Sequence, residues 1–293
     1  MTKPRPAYAE SQRPLEEGLY ITATPLGNVR DISLRALDIL SACDAILAED
    51  TRTTAKLLTV YGISRSLVSY NDHNGTRVRP HILKRLADGE RLVLVSDAGM
   101  PLVSDPGYKL VREAITAGLK IHVVPGASAA IAALVVSGLP TNRFLFVGFL
   151  PVTQDARRTA LEELKAFPCT LIFFEAPQRL TKTLDDMNGV FRRRNAVVAR
   201  ELTKLHEDVR RGDLQSLATF YETNLPRGEV TIVIGPPKDE EPDFGKADQL
   251  LQKAMAFMPL RGAVDLVSEA LSLPRKSLYA RALLHRQIHD DAT

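Results

Sequence analysis

Cysteine is nearly absent from this 293-residue sequence: Cys43 and Cys169 stand far apart, and neither belongs to a Cys-x-x-Cys pair. That excludes a disulfide framework and a cysteine-ligated zinc site, and both thiols, set among apolar neighbours, read as buried structural residues. No apolar run approaches the roughly 20 residues of a membrane-crossing helix. Residues 1–17 are rich in proline and charge and lack the apolar stretch of a signal peptide, so the cytoplasm is the expected compartment. A strong charge imbalance is also missing. With 38 Lys and Arg against 35 Asp and Glu, the net charge is only +3, which permits a local basic surface without demanding one. Two nucleotide signatures are lacking as well. There is no Gly-x-x-x-x-Gly-Lys-Ser/Thr loop, and no Gly-x-Gly-x-x-Gly follows the first expected strand. Nucleoside triphosphates and dinucleotides therefore lose their usual phosphate cradles.

What is present is the composition of a soluble α/β chain, 45% apolar and 25% charged, long enough for two domains and an appendage. From residue 18 onward, β-branched runs at 19–24, 45–48, 66–70, 91–96 and 120–124 alternate with helical patterns at 33–41, 53–61, 78–88 and 108–117. This rhythm predicts a mainly parallel sheet covered on both faces. After an apolar helix at 127–137, strands at 144–149, 170–174, 196–200 and 229–234 alternate with helices at 157–165, 180–187 and 214–221. An Arg-Gly-Asp turn at 211–213 suggests a hairpin, hence a mixed second sheet. The expected fold class is α/β: two α/β domains at 18–126 and 127–236, then a proline-rich, acidic linker at 237–243. A small helical C-terminal domain follows at 244–293, helix-turn-helix-like over 264–284, and residues 1–17 form a flexible N-terminus.

Ligands of an open parallel sheet bind beyond the carboxyl ends of its strands. The five segments that would meet there are 25–28, 49–52, 71–75, 97–107 and 125–128. Each supplies glycine, proline or small polar groups, as tight turns and close backbone approach require. The fourth stands out, because Ser-Asp-Ala-Gly at 96–99 is echoed by Ser-Asp-Pro-Gly at 104–107, more than a plain connection needs. S-adenosyl-L-methionine carries no phosphate and asks for backbone amides and carbonyls around adenine and its amino-acid end, which such turns can provide.

These segments resemble one family, in the expected order: Pro-Leu-Gly-Asn-Val-Arg-Asp-Ile at 25–32, Ala-Glu-Asp-Thr-Arg at 48–52, the doubled loop at 96–107, Val-Pro-Gly-Ala-Ser-Ala at 124–129 and Arg-Glu-Leu-Thr-Lys-Leu-His-Glu at 200–207. The family is the bacterial small-subunit (16S) ribosomal RNA (cytidine-2′-O-)methyltransferases, within the tetrapyrrole-methylase-like superfamily. The resemblance spans residues 18–237. It implies two α/β domains with S-adenosyl-L-methionine in the cleft between them, and a homodimer. It further implies a substrate cytidine near the decoding centre, in the assembled 30S subunit, methylated on its ribose 2′-oxygen.

The resemblance places Asp97, Ala98, Gly99, Val103 and Ser104 around the cofactor's amino-acid end and ribose. By position, Pro25 and Gly27 close the first turn at the cleft floor. From the second domain, Phe149, Leu150, Phe174 and the run Gly228, Glu229, Val230, Thr231 are candidates for enclosing adenine, with plain core packing the alternative for Phe174 and Leu150. A ribose hydroxyl is a poor nucleophile at neutral pH, so a base or cation should stand nearby. One cluster is Glu201, Lys204 and His206, the last two sharing a face if the segment is extended. The other is Glu49, Asp50 and Arg52, where Arg52 balancing Asp50 is the structural alternative. Glu175 and Arg179 would complete a rim, and His73 and Asn74 could meet substrate.

RNA phosphates would be met by Arg157 and Arg158, Lys165, the arginines at 192–194, and Arg210 and Arg211. In the tail, Arg275, Lys276, Arg281, Arg286 and two histidines decorate the second helix, either as an RNA-docking module or on a bundle packing against a dimer. No membrane partner is expected. Two other functions compete: S-adenosyl-L-methionine-dependent methylation of a tetrapyrrole or other small substrate, and a non-catalytic ribosome assembly factor. The Pro-Leu-Gly-Asn turn, the doubled Ser-Asp loop and the basic tail favour RNA over the small substrate.

Overall fold

The structure, a computed structural model, describes residues 14–192, 194–237, 244–271 and 273–290, with side chains as far as 285. The expected linker beyond residue 237 and most of the expected N-terminal segment, together with Arg193 and the side chain of Arg286, therefore lie outside the described residues. Two compact units are distinguished, one reaching to residue 237 and one beyond it.

The first unit opens with five strands: β1 (Gly18–Thr22), β2 (Ala45–Ala48), β3 (Leu67–Ser69), β4 (Arg91–Val95) and β5 (Ile121–Val124). All are parallel, in the order β3-β2-β4-β1-β5. Between and after them run α1 (Leu34–Ala42), α2 (Thr51–Val60), α3 (Gly75–Ala87), α4 (Tyr108–Thr116) and α5 (Ala129–Ser137). Strand side chains alternate between the two faces, as a period of two requires. Tyr20, Ile46, Ala48, Val93 and Val95 pack with Ile39 and Leu40 of α1 and Leu58 of α2. Leu19, Ile21, Leu47, Leu92 and Leu94 pack with Ile82 of α3 and Leu110 of α4. Burying both faces explains why these strands read as unbroken apolar runs. Ser33 caps α1 by accepting from the Ala36 N–H at 3.1 Å.

The second sheet contains β6 (Phe144–Phe149), β7 (Thr170–Glu175), β8 (Asn195–Arg200), β9 (Asp208–Asp213) and β10 (Val230–Ile234), in the order β6-β7-β10-β8-β9. Among the hydrogen-bonded pairs described, β6–β7 is the parallel one; β10 runs antiparallel to both β7 and β8, and β9 is antiparallel to β8. Helices α6 (Gln154–Leu164), α7 (Leu180–Phe191) and α8 (Leu214–Thr223) cover one face, burying Leu161, Leu184, Met187, Leu217 and Tyr221 against Leu171, Phe173, Val198 and Ile232. The apolar α5 covers the other face, through Ala130, Ala133 and Leu134 against Ile172, Val197 and Val233. The mixed sheet expected from the sequence is present, but its hairpin lies elsewhere. Arg211, Gly212 and Asp213 are not a turn; they end strand β9, and the chain reverses at 201–207 instead. The strand escaped notice because it is a charged sheet edge, which carries little hydrophobic alternation.

Among the described residues the second unit has three helices, α9 (Phe244–Met255), α10 (Leu260–Leu271) and α11 (Arg275–Asp290). Ala247, Leu251, Val264, Val267, Leu278 and Ala282 form its core. Two of the arginines expected to face RNA are engaged inside this unit. Arg275 pairs with Asp265 at 2.6 Å, and Arg281 donates to Asp248 at 2.7 Å while lying over the Phe244 ring. His285 shares the same Asp248, at 3.1 Å. No helix among the described residues is long and apolar enough to cross a membrane.

Candidate active site

The carboxyl ends of the parallel strands are joined by short backbone links. Thr24 and Gly99 exchange N–H···O bonds of 2.9 and 3.0 Å, and the Thr24 hydroxyl donates to the Ser96 carbonyl. These tie the loop after β1 to the loop after β4. Both face a cavity of about 410 Å³ whose opposite wall comes from the second sheet. Register explains that wall: β10 begins where β7 ends, Val230 lying opposite Glu175, so the start of one strand and the end of its neighbour meet at one edge.

Eleven residues expected to hold the cofactor line this cavity: Asp97, Ala98, Gly99, Val103 and Ser104 on the first wall, and Phe149, Phe174, Gly228, Glu229, Val230 and Thr231 on the second. Pro25 and Gly27 do not; Leu26 between them does. Leu150 is turned into the core beneath α6 and α7 and is 3% exposed, as expected where a strand's alternation passes below its last cavity-facing residue. The Phe174 ring meets those of Phe146 and Phe149 edge to face, at 4.9 and 5.7 Å between centroids. Sequence reasoning passed over Asp105, Met100, Ser128, Ala129, Ala176 and Pro177, which also line the cavity. For Asp105 the signal was present, in the second Ser-Asp of the doubled loop.

The cavity is acidic. Glu49, Asp97, Asp105, Glu175 and Glu229 line it, and no lysine, arginine or histidine is among the described lining residues. Burial, followed by repulsion from Glu49, pushes Asp105 up to about 6 despite a hydrogen bond from Ser96. Burial and then Asp97 raise Glu49, and burial raises Asp97 although the Asp50 N–H at 3.2 Å opposes it. Carboxylates raised in this way lack a cation, so the cavity suits a positively charged ligand and repels phosphates. Glu229, which meets Lys204, and Glu175 are the exceptions, and Glu175 is the more deeply held. Its side chain is 1% exposed and fully engaged, accepting from Ala176 N–H at 2.7 Å and Thr183 Oγ1 at 2.6 Å, beside Arg179 at 3.2 Å.

Of the six residues expected to be catalytic, only Glu49 lines the cavity. Asp50 caps α2, accepting the Arg52 N–H at 2.8 Å, and pairs with the Arg52 guanidinium at 2.6 Å; that side chain is 86% exposed. The hydrogen bonds from Arg52 hold the Asp50 carboxyl down to about 2. Here the structural alternative describes the geometry. Lys204 and His206 do not share a face, because 201–207 is turned rather than extended. Backbone bonds run from Lys204 N to Glu201 O and from Glu207 N to Lys204 O, and Glu201 and Thr203 have φ of 52° and 66°. His206 is exposed, whereas Lys204 turns inward.

Lys204 Nζ lies 2.8 Å from Glu201 Oε1 and 3.2 Å from Glu229 Oε2. Burial draws its pKa down, but the bond to Glu201 and the charge of Glu229 outweigh that and leave it raised, so this group stays an ammonium. Its hydrogen bond in turn lowers Glu201. Two glycines make room for this pair. A Cβ on Gly27 would stand 2.1 Å from Lys204 Cγ, and one on Gly228, at φ +84°, 2.0 Å from Glu201 Oε1. The loop thus crosses to the β1 turn, where Asn28 N–H also donates to Thr203 Oγ1 at 3.2 Å. Four of the five described non-glycine residues with positive φ, namely Leu102, Ser104, Glu201 and Thr203, fall in this loop and the doubled Ser-Asp loop. Such backbone is costly and concentrates at functional sites.

The basic runs fare differently from expectation. Arg157 is buried against Asp186 at 2.6 Å, Arg194 is 3% exposed and bonded to the Lys165 carbonyl, and Arg210 lies over the Phe220 ring. Arg211 donates to the Ser137 and Val136 carbonyls at the end of α5. These four guanidiniums are spent on holding the fold. Asn74 closes its own loop by donating to Ser69 O at 3.0 Å, and His73 is exposed.

Comparison with known proteins gives two family matches. Residues 18–218 match the tetrapyrrole (corrin/porphyrin) methylases, and residues 241–286 match the RsmI C-terminal HTH domain. The chain is 45% identical to the ribosomal RNA small subunit methyltransferase I of Mesorhizobium japonicum, covering 92% of this chain and 93% of that protein. It is 49% identical to the protein of that name from Erythrobacter litoralis, covering 93% and 97%. In fold it is similar to a uroporphyrin-III C-methyl transferase from Thermus thermophilus complexed with S-adenyl homocysteine, with a TM-score of 0.54 and 19% identity over 74% of this chain and 97% of that one.

Proposed function

This chain belongs to the ribosomal RNA small subunit methyltransferase I family, and from that premise we propose that it transfers a methyl group from S-adenosyl-L-methionine to the ribose 2′-oxygen of a cytidine in small-subunit (16S) ribosomal RNA. The finer reading is a cytidine near the decoding centre, reached in the assembled 30S subunit by a homodimer. The division of labour follows two domains, 18–126 and 127–236, that share one cavity, with the helical 244–293 as an accessory domain.

The observation that carries the reading is the cavity's three carboxylates without an ion pair among the described residues, Glu49, Asp97 and Asp105. S-adenosyl-L-methionine has a sulfonium and an ammonium and no phosphate, which fits Glu49, Asp97 and Asp105 facing a cavity without a cation. A volume of about 410 Å³ lies within the range of small-molecule sites. When bound, the cofactor supplies an electrophilic methyl group. In our assignment Asp97 and Asp105 hold its positive end with the backbone of Ala98 and Gly99, and Phe149 and Phe174 flank the adenine beside the Gly228–Thr231 run.

Lys204 is held as an ammonium, which argues against its being the proton acceptor. We assign it instead the positioning of the incoming nucleotide, at a place fixed by Glu201 and Glu229. The groups able to take the hydroxyl proton are then the raised carboxylates, Glu49 foremost, since it alone of the six candidates faces the cavity. His206, Asp50 and Arg52 have no part in this assignment.

The test uses labelled S-adenosyl-L-methionine with small ribosomal subunits lacking the modification, and naked 16S RNA and a tetrapyrrole precursor as parallel acceptors. Label on one cytidine ribose of the subunit RNA is the expected result. Label on the tetrapyrrole, or on no RNA form, would overturn the assignment.

A further inference from the structure

A second cavity of about 660 Å³ lies in the same unit, lined by residues of α6, α7 and the short 3-10 turn Pro177–Arg179. The turn is shared. Ala176 and Pro177 line the acidic cavity, while Gln178 and Arg179 line the second one. Consecutive Cα atoms are about 3.8 Å apart, so a single turn of chain separates the two. Their chemistry is opposite, since Arg157, Arg158, Arg179 and Lys182 all line the second.

The core of this cavity is Asp186, whose side chain is 1% exposed. It accepts from Gln154 Nε2 at 3.1 Å, from Arg157 Nε at 2.7 Å and from Arg158 Nε at 2.7 Å. One carboxylate thus serves two guanidiniums and leaves a positive charge over. Arg157 is consumed, but Arg158 is 58% exposed and only its Nε is bonded, so its terminal nitrogens remain available among the described residues. Lys182, exposed on α7, has no ion pair among the described residues. A guanidinium fixed at one end by a buried carboxylate is preorganised for bidentate contact with a phosphate. Asp185, also on the rim, works against an anion, so the surface is selective in where a phosphate can sit.

We infer that this cavity is a docking groove for the RNA backbone next to the nucleotide being methylated, with Arg158 and Lys182 as its phosphate contacts. The inference rests on the RNA-methyltransferase reading. It supplies what the acidic cavity cannot, because a cavity that repels phosphates needs an adjoining surface that attracts them.

The experiment measures binding of unmodified small ribosomal subunits across a salt series, with cofactor affinity and the labelling assay alongside. The Arg158→Ala, Lys182→Ala double variant is expected to make the salt slope shallower by about 2 and to raise KM for subunits several-fold. Its kcat at saturating subunits and its cofactor affinity should be retained. Asp185→Asn is expected to tighten subunit binding, and Arg158→Lys to fall between wild type and Arg158→Ala. Unchanged slope and KM in the double variant would overturn the groove. If that variant loses cofactor binding through misfolding, Lys182→Ala alone and Asp185→Asn carry the test, and no change in either overturns it. A wild-type chain that labels no RNA refutes the function instead, and a wild type that labels RNA beside an indifferent double variant refutes only this inference.

Discussion

The two walls of the acidic cavity are built by different rules. The first is the carboxyl edge of a wholly parallel sheet, where every strand exits on the same side and topology brings four of the five expected loops to the site, the loop at 71–75 contributing no lining residue. The second belongs to a mixed sheet, where β6, β7 and β8 end at the cavity edge and the antiparallel β10 starts from it. Its cavity residues therefore come from strand ends at Phe149 and Phe174 and from a strand start at Gly228, Glu229, Val230 and Thr231. The first wall brings charge and the second brings aromatic surface, with a latch at Lys204 crossing between them. A parallel edge gathers a site from scattered loops at no further expense, whereas a mixed sheet needs a particular register to do so.

Neutralising the charged wall should break this arrangement most severely. Asp97→Asn with Asp105→Asn removes two charge-assisted contacts of about 1.5–3 kcal/mol each, so calorimetry should find cofactor affinity lowered by at least about 100-fold. Equal affinity in that variant would refute the assignment of charge to the first wall. Next comes the latch. Lys204→Met is expected to lower kcat by about 100-fold with cofactor affinity nearly intact; a fall in both together would mean that Lys204 supports the cavity rather than the substrate. Gly228→Ala forces a Cβ onto Glu201 and a side chain into positive φ, a strain of about 1–3 kcal/mol that should appear as a lowered Tm.

Smaller effects separate the aromatic wall from the acidic one. Phe149→Ala should weaken cofactor binding by about 0.5–1.5 kcal/mol, two- to tenfold, and that loss should not vary with pH. The acidic wall should vary. Asp105, raised to about 6, must be ionised to meet a cation, so cofactor affinity should decline as pH falls below 6, and Asp105→Asn should flatten that decline. The stability of the cofactor-free protein should move the other way. A carboxyl with a raised pKa in the folded state binds its proton more tightly there, so this group favours folding increasingly as pH falls from about 6 toward 3.8. Thermal unfolding across that window, for wild type and Asp105→Asn, measures the difference.

The asymmetry of the walls also decides what was legible beforehand. The βαβα rhythm announces a parallel sheet, and a parallel sheet announces where its loops converge, which put the 97–107 loop at that edge; the resemblance singled out Asp97, Ala98, Gly99, Val103 and Ser104 within it. Asp105, next to the candidate Ser104 in the second Ser-Asp, was within reach of the strand-end argument. The second wall depended on the resemblance to a family, since no local pattern says that the start of β10 lies beside the end of β7. Strand β9 was invisible because an exposed, charged edge has no apolar alternation to read.

By itself the sequence determined the order and type of nearly every element, the apolar faces that pair them, and the loops that must share an edge, because these follow from periods of 3.6 and 2 and from right-handed crossovers. The tertiary structure alone decided which charges are free. Arg157, Arg194, Arg210 and Arg211 read as a basic surface along the chain, yet Arg157 and Arg194 are buried and Arg210 and Arg211 are tied to the Phe220 ring and the end of α5, while Arg158, one residue from Arg157, keeps its terminal nitrogens. Lys204 and His206, two residues apart, part company in the same way. The reason is physical: whether a charge is compensated depends on what lies within a few ångströms, and for most of these groups that neighbour is a distant part of the chain.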